Sequence, residues 1–351
     1  MLDFTRLLRY ISIMENKFYA SIKSELLNNI LPYWEKFSKD TTPGKTGFFG
    51  EIGNDNKPDF NISRSIVMTS RFLWAYSTAA RYFKDTHYLE MADFAADTII
   101  NKFFDKENGG VFWSVHPDGT PDVSKKQIYG EAFCAYGLSE YAAAIKELKN
   151  DADGATFYMG KALELFDLME NYAFDKKDGG YIEACGENWT STNDMRLSSK
   201  DMNCAKSMNT NLHVMEAYTN IYRTLQIVLP EDIEKQSKVG KALKNLIHIT
   251  NTKILQKDMH LGLFFNMDWT RLDSEISYGH DIEASWLLWE AATELKDSEI
   301  INETKPIAIN MAETALNEGM DTKAGALENF SPEGKRNRIR VWWNQAEAIN
   351  G

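Results

Sequence analysis

Polar and apolar positions follow two rhythms along this chain. Long stretches repeat apolar residues at i, i+3, i+4 and i+7, the spacing that lines one face of an α-helix. Between them lie polar turn residues, then glycine, then a few alternating apolar positions, the pattern of a β-hairpin. The hairpin pattern occurs five times, in "TTPGKTGFFGEIGNDNKP", "FDKENGGVFWSVHPDGTP", "FDKKDGGYIEACGENWT", "QKDMHLGLFFNMDWT" and "DTKAGALENFSPEG". Gly47, Gly110, Gly180, Gly262 and Gly325 mark these stretches, about 60 to 80 residues apart.

Two helical patterns fill each interval. "SIVMTSRFLWAYSTAARYF" precedes "YLEMADFAADTIINKFF", and "QIYGEAFCAYGLSEYAAAIKEL" precedes "TFYMGKALELFDLMENYAF". "CAKSMNTNLHVMEAYTNIYRTL" and "GHDIEASWLLWEAATEL" likewise precede "SKVGKALKNLIHITNTKIL" and "INETKPIAINMAETALNEGM". The first member of each pair is small and aromatic on most faces, as an inner helix must be. The second carries charge on one side, as an outer helix does. A further helix, "MENKFYASIKSELLNNILPYWEKF", precedes the first loop and reads as outer. Repeats of this kind build an open solenoid or a toroid closed on itself. Inner helices that need burial nearly all round favour the toroid, so the expected fold is an all-α (α/α)-barrel, with residues 1–351 as one domain.

Composition narrows the partners. The 351 residues are 43% hydrophobic and carry a formal net charge of −12. Binding nucleic acid takes a basic stripe, and "KRNRIR" is too short to supply one. No apolar run approaches the ~20 residues that span a bilayer, and charge interrupts the N-terminal stretch too often for a signal peptide. Cys134, Cys185 and Cys204 are odd in number and lack metal-like spacing, which suits reduced thiols. A cytoplasmic protein without nucleic-acid or membrane partners is expected.

In a toroid of this type the loops and the N-terminal ends of the inner helices share one face, so their polar residues converge. The candidates are Arg71, Tyr129, Asn209 with His213, His280 with Glu283, and Trp342, Trp343 and Glu347. Asn209 and His213 stand at i, i+4, and His280 and Glu283 at i, i+3, so each pair shares a helix face. A carboxylate beside an imidazole raises its pKa and sets its tautomer, which suits a general acid or base; the same pairing also occurs in ordinary helices. Arg71 is a cation in an apolar helix and is expected to face a cavity or an ion-pair partner. The two histidines and Glu283 are also possible zinc ligands, but no HExxH motif or Cys–His cluster accompanies them. No glycine-rich phosphate loop is present. Neither a metal nor a nucleotide cofactor is expected.

"TSRFLWAYS", "MNTNLHVMEAYT", "SYGHDIEASWLL" and "RVWWNQAEA", in this order and spacing, resemble the N-acylglucosamine 2-epimerase family, and within it the branch acting on cellobiose or mannobiose. The resemblance runs from about Met14 onward. It implies an (α/α)6-barrel that uses no metal or nucleotide. It also implies epimerisation at C2 of the reducing-end glucose of a β-1,4-linked disaccharide, through a cis-enediol, with a small-molecule disaccharide as partner and a monomeric state. Under it, His280 is one of two histidines that exchange the C2 proton, and His213 assists ring opening. Arg71, Tyr129 and Asn209 hold sugar oxygens, with Arg71 stabilising enediolate charge. Glu283 orients His280, Trp343 is an aromatic platform, and Trp269 is a second one. The family's second proton-exchanging histidine follows "WWNQAEA", and six helix pairs need twelve helices where this sequence supplies ten. The C-terminal part of the barrel is therefore expected to be missing, with little activity if the polypeptide ends at Gly351.

Two rival readings remain open from the residues. An aldose–ketose isomerase on the same fold would reprotonate the same enediol at C1. A glycoside hydrolase would use two carboxylates among Asp281, Glu283 and Glu347, but would leave the histidines unexplained.

Overall fold

The computed structural model describes residues 17–198, 201–330 and 336–351. Contacts divide the chain into two compact units, Met1–Arg64 with His116–Thr120, and Ser65–Val115 with Pro121–Gly351.

In the first unit the chain is helical from 17 and passes through a π-helical turn, Leu26–Ile30, into α1 (Leu31–Phe37). Pro32 has no N–H to continue the α-helical ladder, and the Leu31 N–H bonds instead to the Leu26 carbonyl. A hairpin-like loop follows, bridged at Lys39–Phe48 and Ile52–Pro58. Its charge centre is a buried ion pair, Arg64 to Asp40 at 2.7 Å.

The second unit contains the helical pairs read from the sequence: α2 (Ile66–Phe83) with α3 (Leu89–Thr98), α4 (Ile128–Lys149) with α5 (Ala152–Leu168), α6 (Met208–Val228) with α7 (Ile233–Ile249), and α8 (Tyr278–Leu295) with α9 (Ser298–Gly319). A shorter α10 (Trp342–Asn350) follows. The inner helices pack in succession, α2 on α4, α4 on α6, α6 on α8 and α8 on α10. Their composition explains this. In α4 the run Ala142–Ala143–Ala144 is buried together with residues on every face, whereas α7 buries only a stripe from Val239 to Ile249. Asp151, Asp232 and Asp297 cap the outer helices α5, α7 and α9 by accepting backbone N–H bonds. Each of α3, α5 and α7 ends in a π-helical turn that delivers an extended Phe104, Phe174 or Leu255 to the next loop.

The second to fifth loops are each fastened to the inner helix that follows. The fourth residue of α4, α6, α8 and α10 accepts the backbone N–H of the residue that closes the preceding turn. Glu131 holds Val111 at 3.0 Å, Asn211 holds Tyr181 at 2.8 Å, Asp281 holds Leu261 at 2.9 Å and Gln345 holds Leu327 at 2.8 Å. Burial pushes the Glu131 carboxyl up to about 8, so it sits there largely protonated at neutral pH.

A second fastening is ionic. The residue two before an inner helix pairs with an aspartate at the loop's start: Arg64 with Asp40, Lys126 with Asp105, Lys206 with Asp175 and Arg340 with Asp321. In the fourth loop both partners are replaced together, by Gln256 and Ile276. There His260 occupies the place that Gly110 and Gly180 hold in earlier loops. Its ring bonds to Asp281 at 2.8 Å. The true register of the fourth mark is therefore His260 rather than Gly262, because the closing bridge is Leu255–Leu261, matching Phe104–Val111 and Phe174–Tyr181.

The three cysteines are buried and free. No helix among the described residues is long and apolar enough to cross a membrane.

Candidate active site

The inner helices fall into register when each is counted from its first residue. The fourth position faces the loop, as described above. The second and sixth positions are one helical turn apart and face the same side. They hold Arg71 on α2, Tyr129 and Phe133 on α4, Asn209 and His213 on α6, Glu283 on α8, and Trp343 and Glu347 on α10. All of these except Phe133, together with His280 and Trp342, line one cavity of 340 Å³.

The second position of α8 is Gly279. A Cβ there would meet Asn344 Oδ1 at 2.4 Å and Trp343 Cη2 at 2.7 Å. The missing side chain lets α10 approach closely and leaves the space to His280, one residue further on. The His280 ring lies 4.8 Å from the Trp343 ring, and its Nδ1 is 2.6 Å from Ser277 Oγ.

His213 is held differently. Its Nδ1 bonds to Glu216 at 2.8 Å, its Nε2 lies 3.9 Å from Glu283, and Tyr129 and Phe133 stand against its ring at centroid distances of 5.0 and 4.9 Å. Arg71 lies over the Phe133 ring at 4.5 Å and 3.5 Å from the Tyr129 hydroxyl, and no ion pair to it is found among the described residues. It is exposed to the cavity, the first of the two settings expected for it. Asn209 Oδ1 is buried without a protein partner among the described residues, an acceptor left for a ligand. Glu347 accepts the Trp286 indole N–H at 2.9 Å.

These surroundings drive the two histidines apart. Burial, reinforced by the positive charge of His213, pushes His280 down to about 4, so it is neutral at pH 7. Burial also acts to lower His213, but the hydrogen bond to Glu216 and the charge of Glu283 outweigh it and raise His213 above its ordinary 6.5. Burial lifts Glu283 to about 7 against the pull of His213. Tyr129 is pushed up to about 12 by burial and stays protonated. One pocket thus holds one histidine pushed towards its neutral form and one whose hold on its proton is strengthened, a separation that suits a base and an acid.

Two expectations are corrected. Glu283 shares a face with His280 but reaches His213, and the partner of His280 is Ser277. The i, i+3 spacing guarantees proximity along one helix, but the rotamer turns the carboxylate towards the neighbouring helix. Trp269 does not line the cavity. It occupies a left-handed turn position with φ 66°, its indole N–H donates to the Asp178 carbonyl at 3.0 Å, and its ring covers Gly180 of the preceding loop. A Cβ on Gly180 would sit 2.3 Å from that ring, so the glycine makes room for it. Trp189 makes the same clasp on Gly110 one repeat earlier, with φ 63° and an indole bond to the Asn108 carbonyl. The shared "NWT" and "DWT" triplets are the sequence sign of this structural role.

Sequence reading passed over Glu216, Ser277 and Phe133. The first two were legible as the i+3 and i−3 neighbours of the chosen histidines.

Fold and pocket together define a helical-hairpin barrel protein with a polar cavity lined by two histidines at the starts of its inner helices. The chain belongs to the N-acylglucosamine 2-epimerase (GlcNAc 2-epimerase) family, whose model matches residues 47–351. It is 39% identical over 340 residues to the cellobiose 2-epimerase of Bacteroides fragilis, covering 96% of this chain and 82% of that protein. The cellobiose 2-epimerase of Dictyoglomus turgidum is 34% identical, with 95% and 79% covered. Among solved structures, the cellobiose 2-epimerase of Spirochaeta thermophila DSM 6192 superposes with a TM-score of 0.82 at 35% identity, over 95% of this chain and 78% of that one. The fold is of the (α/α)6-barrel class.

Proposed function

We propose that this protein epimerises a β-1,4-linked disaccharide such as cellobiose at C2 of its reducing-end sugar. The observation that carries this reading is the opposite perturbation of two histidines in one cavity, His280 pushed down to about 4 and His213 raised, beside the guanidinium of Arg71. The names of the relatives, cellobiose 2-epimerases, point to the same substrate.

The chemistry follows from the residues. His213, protonated, donates towards a ring or carbonyl oxygen and favours the open-chain aldehyde. The C2 proton is then acidic because the carbanion formed on its loss delocalises onto the C1 oxygen. Neutral His280 accepts that proton, and its low pKa keeps it ready to do so at neutral pH; the mannose-ended product forms when a proton is delivered back to C2 on the opposite face of the planar enediolate. Arg71 and the Tyr129 hydroxyl stabilise the enediolate oxygens, Asn209 Oδ1 accepts a sugar hydroxyl, and Trp343 offers an apolar ring face to the C–H side of the sugar.

The test is incubation with cellobiose in D2O followed by NMR. Deuterium at C2, with appearance of a mannose-ended disaccharide, is expected. A fructose-ended product would replace epimerisation by aldose–ketose isomerisation, and release of monosaccharide without deuterium would sink the proton-transfer reading altogether.

A further inference from the structure

Ser277 is the N-cap residue of α8, yet its hydroxyl caps no backbone N–H. At the equivalent place in α6, Ser207 accepts the Thr210 N–H at 3.0 Å, the ordinary use of serine at a helix start. The third helical residue is Thr210 in α6 and His280 in α8. In α8 the serine oxygen is turned to the His280 side chain instead, 2.6 Å from Nδ1. The N-cap Ser65 of α2 also leaves the backbone uncapped, so what sets Ser277 apart is its contact with an imidazole.

We propose that Ser277 is a positioning residue that accepts the Nδ1–H of His280, holding the imidazole as the single tautomer whose unprotonated Nε2 faces the sugar. The proposal rests on the epimerase reading for its consequence and on geometry for its content. The His280 ring is fixed on two sides, by Ser277 at Nδ1 and by the Trp343 ring at 4.8 Å, so the nitrogen left to the cavity is Nε2. The neighbour whose charge acts on His280 is His213, positive in its protonated form. A lone pair facing that charge is favoured over an N–H facing it, and this selects the Nδ1–H tautomer. A neutral imidazole without such a partner populates both tautomers, and only one of them is a base at Nε2.

The experiment uses the full chain labelled with 15N-histidine, with His280→Gln identifying the His280 signals. At pH 7 the expected spectrum shows a protonated Nδ1 and an unprotonated Nε2. Ser277→Ala is expected to lose this single tautomer and to lower kcat on cellobiose about tenfold or more with KM unchanged, whereas Ser277→Thr, which keeps the hydroxyl, restores both. A protonated Nε2 in the parent protein, or an unaltered tautomer in Ser277→Ala, overturns the proposal. The parent spectrum decides the assignment even if Ser277→Ala does not fold. If the parent protein exchanges no C2 proton, the epimerase reading fails, while the ring nitrogens still report whether Ser277 sets the tautomer.

Discussion

At the scale of single residues, the pocket works by giving two identical side chains opposite surroundings. His280 has no carboxylate in contact among the described residues and burial lowers it to about 4, whereas His213 touches Glu216 and faces Glu283 and is raised. The pH dependence follows from the sign of each shift. Activity needs His280 neutral, so kcat/KM rises as pH increases through about 4. It needs His213 protonated, so kcat/KM falls as pH increases through a value above 6.5, and this alkaline limb belongs to the coupled His213–Glu283 pair. Glu216→Gln removes the hydrogen-bonded charge that raises His213. Its alkaline limb is expected at lower pH than in the parent, with the acid limb unmoved, as read from kcat/KM profiles. An alkaline limb that stays in place would exclude Glu216 from this role.

At the scale of elements, the second to fifth loops are each tied to the next inner helix by one amide-accepting side chain, and three of the five loops hold a buried ion pair. The fourth loop shows that the ion pair is exchangeable as a unit, since Gln256 and Ile276 replace both charges. Buried pairs resist single changes because an abandoned charge keeps its desolvation cost. Lys126→Ile alone strands Asp105, whose side chain is 3% exposed, and is expected to destabilise the protein by about 3 kcal/mol in urea denaturation. Asp105→Gln combined with Lys126→Ile copies the fourth loop and is expected to cost less than the single change. A double variant weaker than Lys126→Ile would mean that Asp105 matters mainly through the turn amides of Glu107 and Asn108 that it also accepts.

At the scale of the whole molecule, the site is a convergence of α2, α4, α6, α8 and α10, so a bound sugar ties together helices far apart in sequence. Ligand that binds only the folded state raises its stability by mass action. Millimolar cellobiose is therefore expected to raise Tm in a concentration-dependent way. Trp343→Ala should diminish this rise, because the ring lines the cavity. Trp269→Ala should lower the starting Tm by several degrees while leaving the cellobiose-induced rise intact, because its ring covers Gly180. A lost sugar response in Trp269→Ala would return that residue to the site.

How much of this was legible in the sequence follows from what each feature depends on. Helical periodicity and hairpin turns are local, so the helix pairs, the loops between them and the inner–outer alternation could be read directly. Most residues of the pocket could be read too, since second and sixth positions of a helix share a face: Arg71, Tyr129, Asn209, His213, Glu283, Trp343 and Glu347 do meet there, joined by His280 from the third position of α8. What each side chain does on meeting its neighbours could not be read so. Glu283 turning to His213 and Trp269 closing over Gly180 depend on the rotation of one helix against the next and on contacts between successive repeats. By itself the sequence determined which residues arrive at the pocket, because that is set within each helix. Only the tertiary structure decided how the two histidines are perturbed in opposite directions, because desolvation and the approach of Glu283 to His213 arise between helices.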